Sequence, residues 1–414
     1  MTSTLLAALR AQNSAGALAA AKNFSPLTEA VFTGDVERVQ KVYKDEKIKV
    51  DQKDADGCSP LMHAAEQGYL DICEYLVSQG ARINGKDDIG ENALMKAAKE
   101  GNIDIMQFLI TAALASLPKK LGSSGEVGQR ERSRVVDAKD DEGITALMKA
   151  SECGEYDTVR FLLEQGASVE AKDDEQWNVV MWAAVAGQYE ICELLIKQYS
   201  VPGNYVTEGG ESALSKAAAN GHTEVCELLL AEGAKVNQTD SNYQTALMWA
   251  ASEGHRETVE ALIKNDAKVD PATRTGKTAL HLACRTGRTD VVEYLLTKMD
   301  KIDQVDEDGR TCLFDAVSLS DETLCSMLLD KGLDINKTNK RGETCLIAAA
   351  TECPAFFIKF LMERKANLNK QDESSRTALD HAEGALNSAV VTLLRESGAS
   401  RAATVIFRDD VDDD

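Results

Sequence analysis

The sequence predicts an all-α fold built as one array of repeated helix–turn–helix units. Three observations predict it. A short pattern recurs at a spacing of 33 residues, aromatic residues make up only 5% of the chain while alanine and leucine abound, and helix-starting and helix-ending residues alternate within each period. This composition suits packed helices better than a β-sandwich. A fixed period of about 20–50 residues is typical of a solenoid.

The recurring pattern is Gly-x-x-x-Leu-x-x-Ala. Its first position, the anchor, recurs every 33 residues except for one interval of 34 and one of 53, which is 33 plus 20. The anchors are Gly57, Gly90, Gly143, Gln176, Gly210, Tyr243, Gly276, Gly309, Gly342 and Ser375. An alanine stands seven residues after every anchor, which predicts close approach of neighbouring helices. With a partial unit before Gly57, about eleven units cover residues 24–400.

Each unit predicts two short helices and an extended turn finger. In the unit that begins near residue 54, Ser59 and Pro60 form a helix start, because Ser caps the first turn and Pro suits the first helical position. Gly68 ends that helix. A second amphipathic stretch follows and ends at Gly80. The stacked units predict a long curved surface built from turn tips and first helices.

These motifs resemble the ankyrin-repeat family. The match is carried by Gly276-Lys-Thr-Ala-Leu-His-Leu-Ala-Cys-Arg-Thr-Gly287 and Gly233-Ala-Lys-Val-Asn237, and it extends over about nine-tenths of the chain. The family's usual His appears as His281, whereas Met62, Met95, Met148, Met181 and Met248 take the equivalent place. That His normally forms hydrogen bonds across the turns, so apolar packing is expected instead at the Met positions. Arrays with Met at this position resemble the ankyrin families of flagellated protists. Some members of those families associate with the cytoskeleton.

Charge and composition exclude several functions. With 46 basic and 68 acidic residues, the net charge is −22, which disfavours binding to nucleic acid or anionic membranes. The sequence contains no run of 18 apolar residues, so it does not predict insertion into a membrane. The ten cysteines form no zinc motif with the five histidines, so no metal or cofactor is expected. No phosphate loop or nucleophile motif occurs, and the protein is not expected to be an enzyme.

The predicted partner-binding residues lie at turn tips and on the exposed side of the first helices. An acidic segment comes first, an aromatic patch follows, and a basic segment comes last. Aromatic side chains flanked by charge are typical of interface hot spots. The alternative is that the tryptophans pack between helices and the charges only solvate the surface. The candidate residues are Ile144, Trp177, Trp182, Val185, Trp249, Arg274, Lys277, Arg285 and Arg310.

Three segments fall outside the regular repeat. Residues 1–23 predict a short helix or a disordered segment, and residues 401–414 an acidic tail. The extra 20 residues lie within about 111–135, where residues 111–117 are expected to lengthen a helix and the Gly- and Ser-rich stretch 118–134 to form a mobile loop. Ser133 follows basic residues and is a candidate phosphorylation site, the alternative being a tolerated insertion.

The functional prediction is a non-catalytic scaffold or adaptor that binds one or more proteins through the concave face of the array. The alternative is a structural component of a cytoskeletal, microtubule-associated or other large assembly. Buried thiols too far apart to pair favour the cytoplasm, with association with the cytoskeleton under the second hypothesis. The identity of the partner and the oligomeric state do not follow from the sequence.

Overall fold

A computed structural model describes residues 24–46, 48–116 and 125–401. The predicted N-terminal segment 1–23, the tail after residue 401 and part of the predicted loop therefore lie outside the described residues. Within them, the fold is all-α, as predicted, and the extended fingers contain isolated β-bridges but no strand. No helix in these ranges combines the length and apolar character that crossing a membrane requires.

The chain divides into two units, residues 1–208 with 231–234, and residues 209–230 with 235–414. The first contains α1 (Pro26–Val31), α2 (Val36–Glu46), α3 (Pro60–Gln67), α4 (Leu70–Ser78), α5 (Ala93–Lys99), α6 (Ile103–Ala115), α7 (Gly125–Val136), α8 (Ala146–Cys153), α9 (Tyr156–Glu164), α10 (Val179–Val185) and α11 (Tyr189–Lys197). All of these except α7 form helix pairs, and each pair packs on the next.

The second unit continues the same architecture. It contains α12 (Ala213–Ala219), α13 (Thr223–Ala231, except its last residue), α14 (Ala246–Glu253), α15 (Arg256–Lys264), α16 (Ala279–Arg285), α17 (Thr289–Lys298), α18 (Cys312–Ser318), α19 (Glu322–Asp330), α20 (Cys345–Glu352), α21 (Ala355–Glu363), α22 (Ala378–Gly384) and α23 (Ser388–Glu396). The described chain thus holds eleven helix pairs, the predicted number, and one extra helix.

Packing follows the predicted columns. The alanine seven residues after each anchor is at most 1% exposed in every repeat, and it lies where neighbouring first helices meet. The predicted caps also form, since the Ser59 hydroxyl accepts the Met62 N–H and Gly68 ends α3 with a φ of 81°. Burial of small side chains at each contact allows the helices to stack at close range.

All ten anchors have positive φ, including the three that are not glycine. Gln176, Tyr243 and Ser375 have φ values of 67°, 61° and 59°. The turn geometry is therefore imposed by the repeat, even where a side chain makes it costly.

Replacing Ser375 with glycine is expected to stabilise the protein by about 0.5–1 kcal/mol, because glycine adopts this backbone conformation without steric strain. Urea unfolding followed by circular dichroism measures the change. The neighbouring Ser374, whose φ is not positive, provides the control. Equal effects of Ser375→Gly and Ser374→Gly would contradict this explanation.

The predicted loop at 118–134 is wrong in its second half, because residues 125–136 form helix α7. Val135 and Val136 are buried at its end, and the Arg132 guanidinium donates to the Gln165 side chain at 2.7 Å. These contacts hold a segment whose Gly and Ser content alone favours a loop. The predicted lengthening of the preceding helix is confirmed as far as Ala115. Ser133 lies half-buried inside α7, and its phosphorylation stays a prediction.

Candidate partner-binding face

Most turn fingers are fixed by a polar side chain three residues before the anchor. In most repeats this residue is Asp, and one of its carboxylate oxygens accepts backbone N–H groups from the finger, as Asp54 does from Asp56 and Cys58 at 3.0 and 2.8 Å. The same role falls to Asp87, Asp140, Asp173, Asp240, Asp306, Asn339 and Asp372. These bonds hold the fingers in one conformation.

The second carboxylate oxygen frequently accepts a hydrogen bond from the first helix of the same repeat. The donor stands nine residues after the Asp and differs between repeats, being imidazole, ammonium or indole. The pairs are Asp54–His63, Asp87–Lys96, Asp140–Lys149, Asp173–Trp182 and Asp372–His381, all at 2.8–2.9 Å. In these five repeats, one position on the first helix therefore locks the finger through an imidazole, ammonium or indole donor.

Neighbouring finger tips are also joined through their backbones. In the first unit, the N–H groups of Asp88, Asp141 and Asp174 donate to carbonyls of the preceding finger at 3.2, 3.1 and 2.9 Å. Equivalent bonds join the tips of the second unit. The tips of each unit therefore form a row with fixed spacing, which can present side chains to a partner without loss of loop entropy.

The structure brings Trp177 and Trp182 together in the first unit. Their ring centroids lie 5.4 Å apart, and both side chains are half-buried. Trp177 lies at the finger, while the Trp182 indole N–H donates to the Asp173 carboxylate at 2.9 Å. Trp182 thus combines a structural role with partial exposure. Val185, also half-buried, ends the same helix.

The prediction that Ile144 contacts a partner is wrong, since Ile144 is only 6% exposed. The residue directly after the anchor is also buried in the two preceding repeats. It is Cys58 in one of them and Glu91 in the other. In these three repeats of the first unit, the side chain at this position is therefore covered by its own protein and is not available to a partner. The indole of Trp177 occupies the same position in the next repeat and is only half-covered.

Replacing Trp182 with phenylalanine is expected to destabilise the first unit by about 1–3 kcal/mol, because one buried carboxylate oxygen of Asp173 loses its donor. Thermal unfolding measures the loss. Trp249→Phe is the matched control, since within the described residues no hydrogen bond joins the Trp249 indole to Asp240. A loss of similar size in both variants would show that ring size, rather than the hydrogen bond, matters.

In the second unit, several predicted contact residues already have partners inside the protein. The Arg274 guanidinium donates to the Ser241 carbonyl at 2.9 Å and lies over the Tyr243 ring. The Lys277 ammonium pairs with Asp315 at 2.9 Å and with Asp306 at 3.6 Å. Lys277 is therefore largely neutralised and is a poor candidate for contact with a partner.

The remaining predicted residues of the second unit are accessible. Arg285 is exposed at the end of α16, Arg310 is half-buried over the Phe314 ring, and Trp249 is half-buried on α14. Sequence reasoning missed Tyr243, an anchor whose side chain is 52% exposed at a finger tip. The available signal was a large non-glycine residue at an anchor, since the anchor lies in the turn of the finger.

Sequence reasoning also missed a buried charge network in the first unit. Glu91 is 1% exposed and contacts the Lys149 and Lys96 ammonium groups at 2.6 and 2.5 Å, and each lysine also pairs with the Asp of its own finger. Burial alone would raise the pKa of Glu91, but the two lysines lower it to about 2. Glu91 therefore joins two repeats.

The comparison with protein families decides the identity of the fold. The family model described as ankyrin repeats (3 copies) matches residues 9–120, 129–203, 200–273, 267–339 and 324–404. The chain belongs to the ankyrin-repeat family. Ankyrin repeats are generally modules for protein–protein interaction and typically lack catalytic activity. The array is also similar to the ankyrin repeat domain of human ASB11, with 24% identity and a TM-score of 0.49 over 54% of this chain and 99% of that one.

In this ankyrin array, the position of the family's usual His is stabilised in two ways, by hydrogen bonding or by apolar packing. The His281 Nε2–H donates to the Arg310 carbonyl of the next finger at 3.3 Å, and Nδ1 accepts from the Thr278 hydroxyl at 2.9 Å. This confirms the predicted bond across the turns. The methionines at the equivalent positions, Met62, Met95, Met148, Met181 and Met248, are at most 2% exposed. Apolar packing therefore replaces the polar bridge in these repeats, as predicted.

Proposed function

We propose that this ankyrin array is a non-catalytic scaffold or adaptor that binds another protein through the finger-tip and first-helix face of its first unit. The observation that carries the proposal is the Trp177–Trp182 pair, half-exposed beside a row of tips held in register. Large, rigid aromatic side chains that lose little conformational entropy are frequent interface hot spots. The exposed Arg285 and Tyr243 of the second unit provide a separate contact surface.

Replacing Trp177 with alanine is expected to weaken partner binding by about 2 kcal/mol, a loss of roughly 30-fold in affinity. Tagged full-length protein is used to enrich partners from extracts of its own cells, and binding constants are then measured with the purified partner. Tyr156→Ala is the matched control, because Tyr156 is an exposed aromatic residue of the same unit on a second helix. Equal retention of the partner by Trp177→Ala and the unchanged protein would count against the proposal.

A second candidate function, a structural role in a large assembly, is favoured by a different observation. Three consecutive repeats of the second unit each expose a large apolar side chain at or beside the turn that joins their helices. These are Leu319, Phe356 and Leu386, which are 46%, 63% and 87% exposed. An assembly held through this edge would be disrupted by Phe356→Glu and would tolerate Trp177→Ala. Microscopy of the tagged variants separates the two functions.

A further inference from the structure

Three side chains with different donor atoms meet in one repeat of the first unit. Asp54, Cys58 and His63 each place one ligand atom within 4.8 Å of the other two. The three residues are buried, with exposed fractions of 6–9%. Carboxylate oxygen, thiolate sulfur and imidazole nitrogen are the ligands that zinc takes in proteins.

Local structure fixes the position of each group. One oxygen of Asp54 accepts two finger N–H groups, so its other oxygen points to the His63 Nε2 atom, 2.8 Å away. Cys58 follows the anchor, and its thiol donates to the Asp87 carboxylate at 3.6 Å. His63 stands in the first turn of α3, which begins directly after the finger. The site is therefore assembled before any ligand arrives.

The surroundings of His63 resemble the outer shell of a metal site. Its Nδ1 atom faces the Glu66 carboxylate at 3.8 Å, on the opposite side of the ring from Asp54. The rings of Phe24 and Phe32 lie 5.5 and 5.0 Å from the imidazole. A carboxylate on the second nitrogen orients a ligating histidine, and an apolar shell limits access of water.

The other repeats show which part of this cluster the fold does not explain. Lys96 and Lys149 occupy the position of His63 and pair with their own finger Asp, so an Asp–donor contact serves the turn alone. The last repeat pairs Asp372 with His381, but Arg376 stands where the first has Cys58. The conformation of the finger does not require a thiol. Within the described residues, only the Asp54–His63 pair has a cysteine thiol beside it.

We propose that Asp54, Cys58 and His63 bind one divalent transition-metal ion of the zinc class. A solvent molecule or a partner side chain would complete the tetrahedral set. On binding, the Cys58 thiol loses its proton to solvent, and His63 binds through Nε2 while its remaining proton resides on Nδ1, facing Glu66. One carboxylate and one thiolate then balance the two charges of the ion. The site is independent of partner binding at Trp177.

The proposal is tested by titrating chelator-treated full-length protein with Co²⁺. The expected result is saturation at one equivalent with a near-ultraviolet thiolate-to-cobalt charge-transfer band, which added Zn²⁺ abolishes. Cys58→Ser and His63→Lys should both lose the band. His63→Lys preserves the fold by supplying the lysine that two other repeats use, and circular dichroism checks it.

Two controls locate the ion. Cys153→Ser removes the exposed thiol, and His381→Ala removes the imidazole of the last repeat, and both should retain the band. Glu66→Gln should keep the band but weaken Co²⁺ binding by about 10–100-fold. Absence of the band in the unchanged protein, its persistence in Cys58→Ser, or its loss in Cys153→Ser would each overturn the proposal.

Discussion

Replacing Lys149 with methionine is expected to lower the free energy of unfolding of the first unit by about 3–5 kcal/mol. The Lys149 ammonium bridges Glu91 and Asp140 at 2.6 and 2.8 Å, and it is 9% exposed. Its removal leaves three buried carboxylates, Asp87, Glu91 and Asp140, with the half-buried Lys96 and, at 3.5 Å from Glu91, the more exposed Lys99 as the ammonium groups beside them. Methionine preserves the packed stem, so the loss reports on charge.

Hydrogen exchange followed by mass spectrometry measures this loss locally, because a stack of repeats does not unfold as one two-state unit. The matched control is Lys197→Met, which breaks a solvent-exposed pair with Glu193 and should therefore change stability little. Glu91→Gln should cost less than Lys149→Met, because two balanced Asp–Lys pairs remain. If all three variants lost similar stability, burial of the network would have no special importance.

The same network sets a pH dependence. The pKa of Glu91 falls from its ordinary value of 4.5 to about 2 in the folded protein, so its contribution is complete above pH 4.5 and is lost as the pH falls towards 2. The pKa of Lys149 is raised above 10.5, although burial opposes the rise, because Asp140 and Glu91 stabilise the charge. The stability difference between the unchanged protein and Lys149→Met should therefore be largest between pH 4.5 and 10.5 and should shrink in acid.

Replacing Phe357 with alanine is expected to destabilise the second unit by about 3–5 kcal/mol. Phe357 is fully buried in α21 and packs on Phe360 with ring centroids 5.6 Å apart. Alanine leaves a cavity that the surrounding helices fill only in part. Denaturant unfolding and local hydrogen exchange in residues 340–400 measure the effect.

The array supplies its own control for Phe357. Three repeats of the first unit have isoleucine at the equivalent position, namely Ile72, Ile105 and Ile191, and all three are buried. Phe357→Ile should therefore cost clearly less than Phe357→Ala. Neither variant should change exchange in α3 to α11, since stability in a stack of repeats depends on near neighbours. A uniform loss of protection from exchange along the chain would contradict this expectation, because it would show coupling beyond neighbouring repeats.

The period, the anchors and the alanine column could be predicted from the sequence because each depends on a single recurring position. The register places Gln176, Tyr243 and Ser375 at anchors, and the structure shows that all three have positive φ although none is glycine. By contrast, helix α7 was missed because its stability comes from the burial of Val135 and Val136, which Gly- and Ser-rich composition does not reveal.

The site was harder to predict than the fold, since it depends on contacts between positions. The sequence identifies Trp182 as a candidate but not its bond to Asp173, nine residues earlier. It places Ile144 beside the tips but does not show that the position is covered. The meeting of Asp54, Cys58 and His63 was missed because their spacing matches no familiar metal motif, and the finger alone brings them together.

Site-specific photo-crosslinking tests directly whether the finger-tip face of the first unit binds the partner. A photoreactive residue is placed at Glu175, exposed at the finger tip beside Trp177, or at Glu193, on the second helix of the same repeat. We expect cross-links to the partner from position 175 and none from position 193. Cross-links from position 193 alone would contradict it.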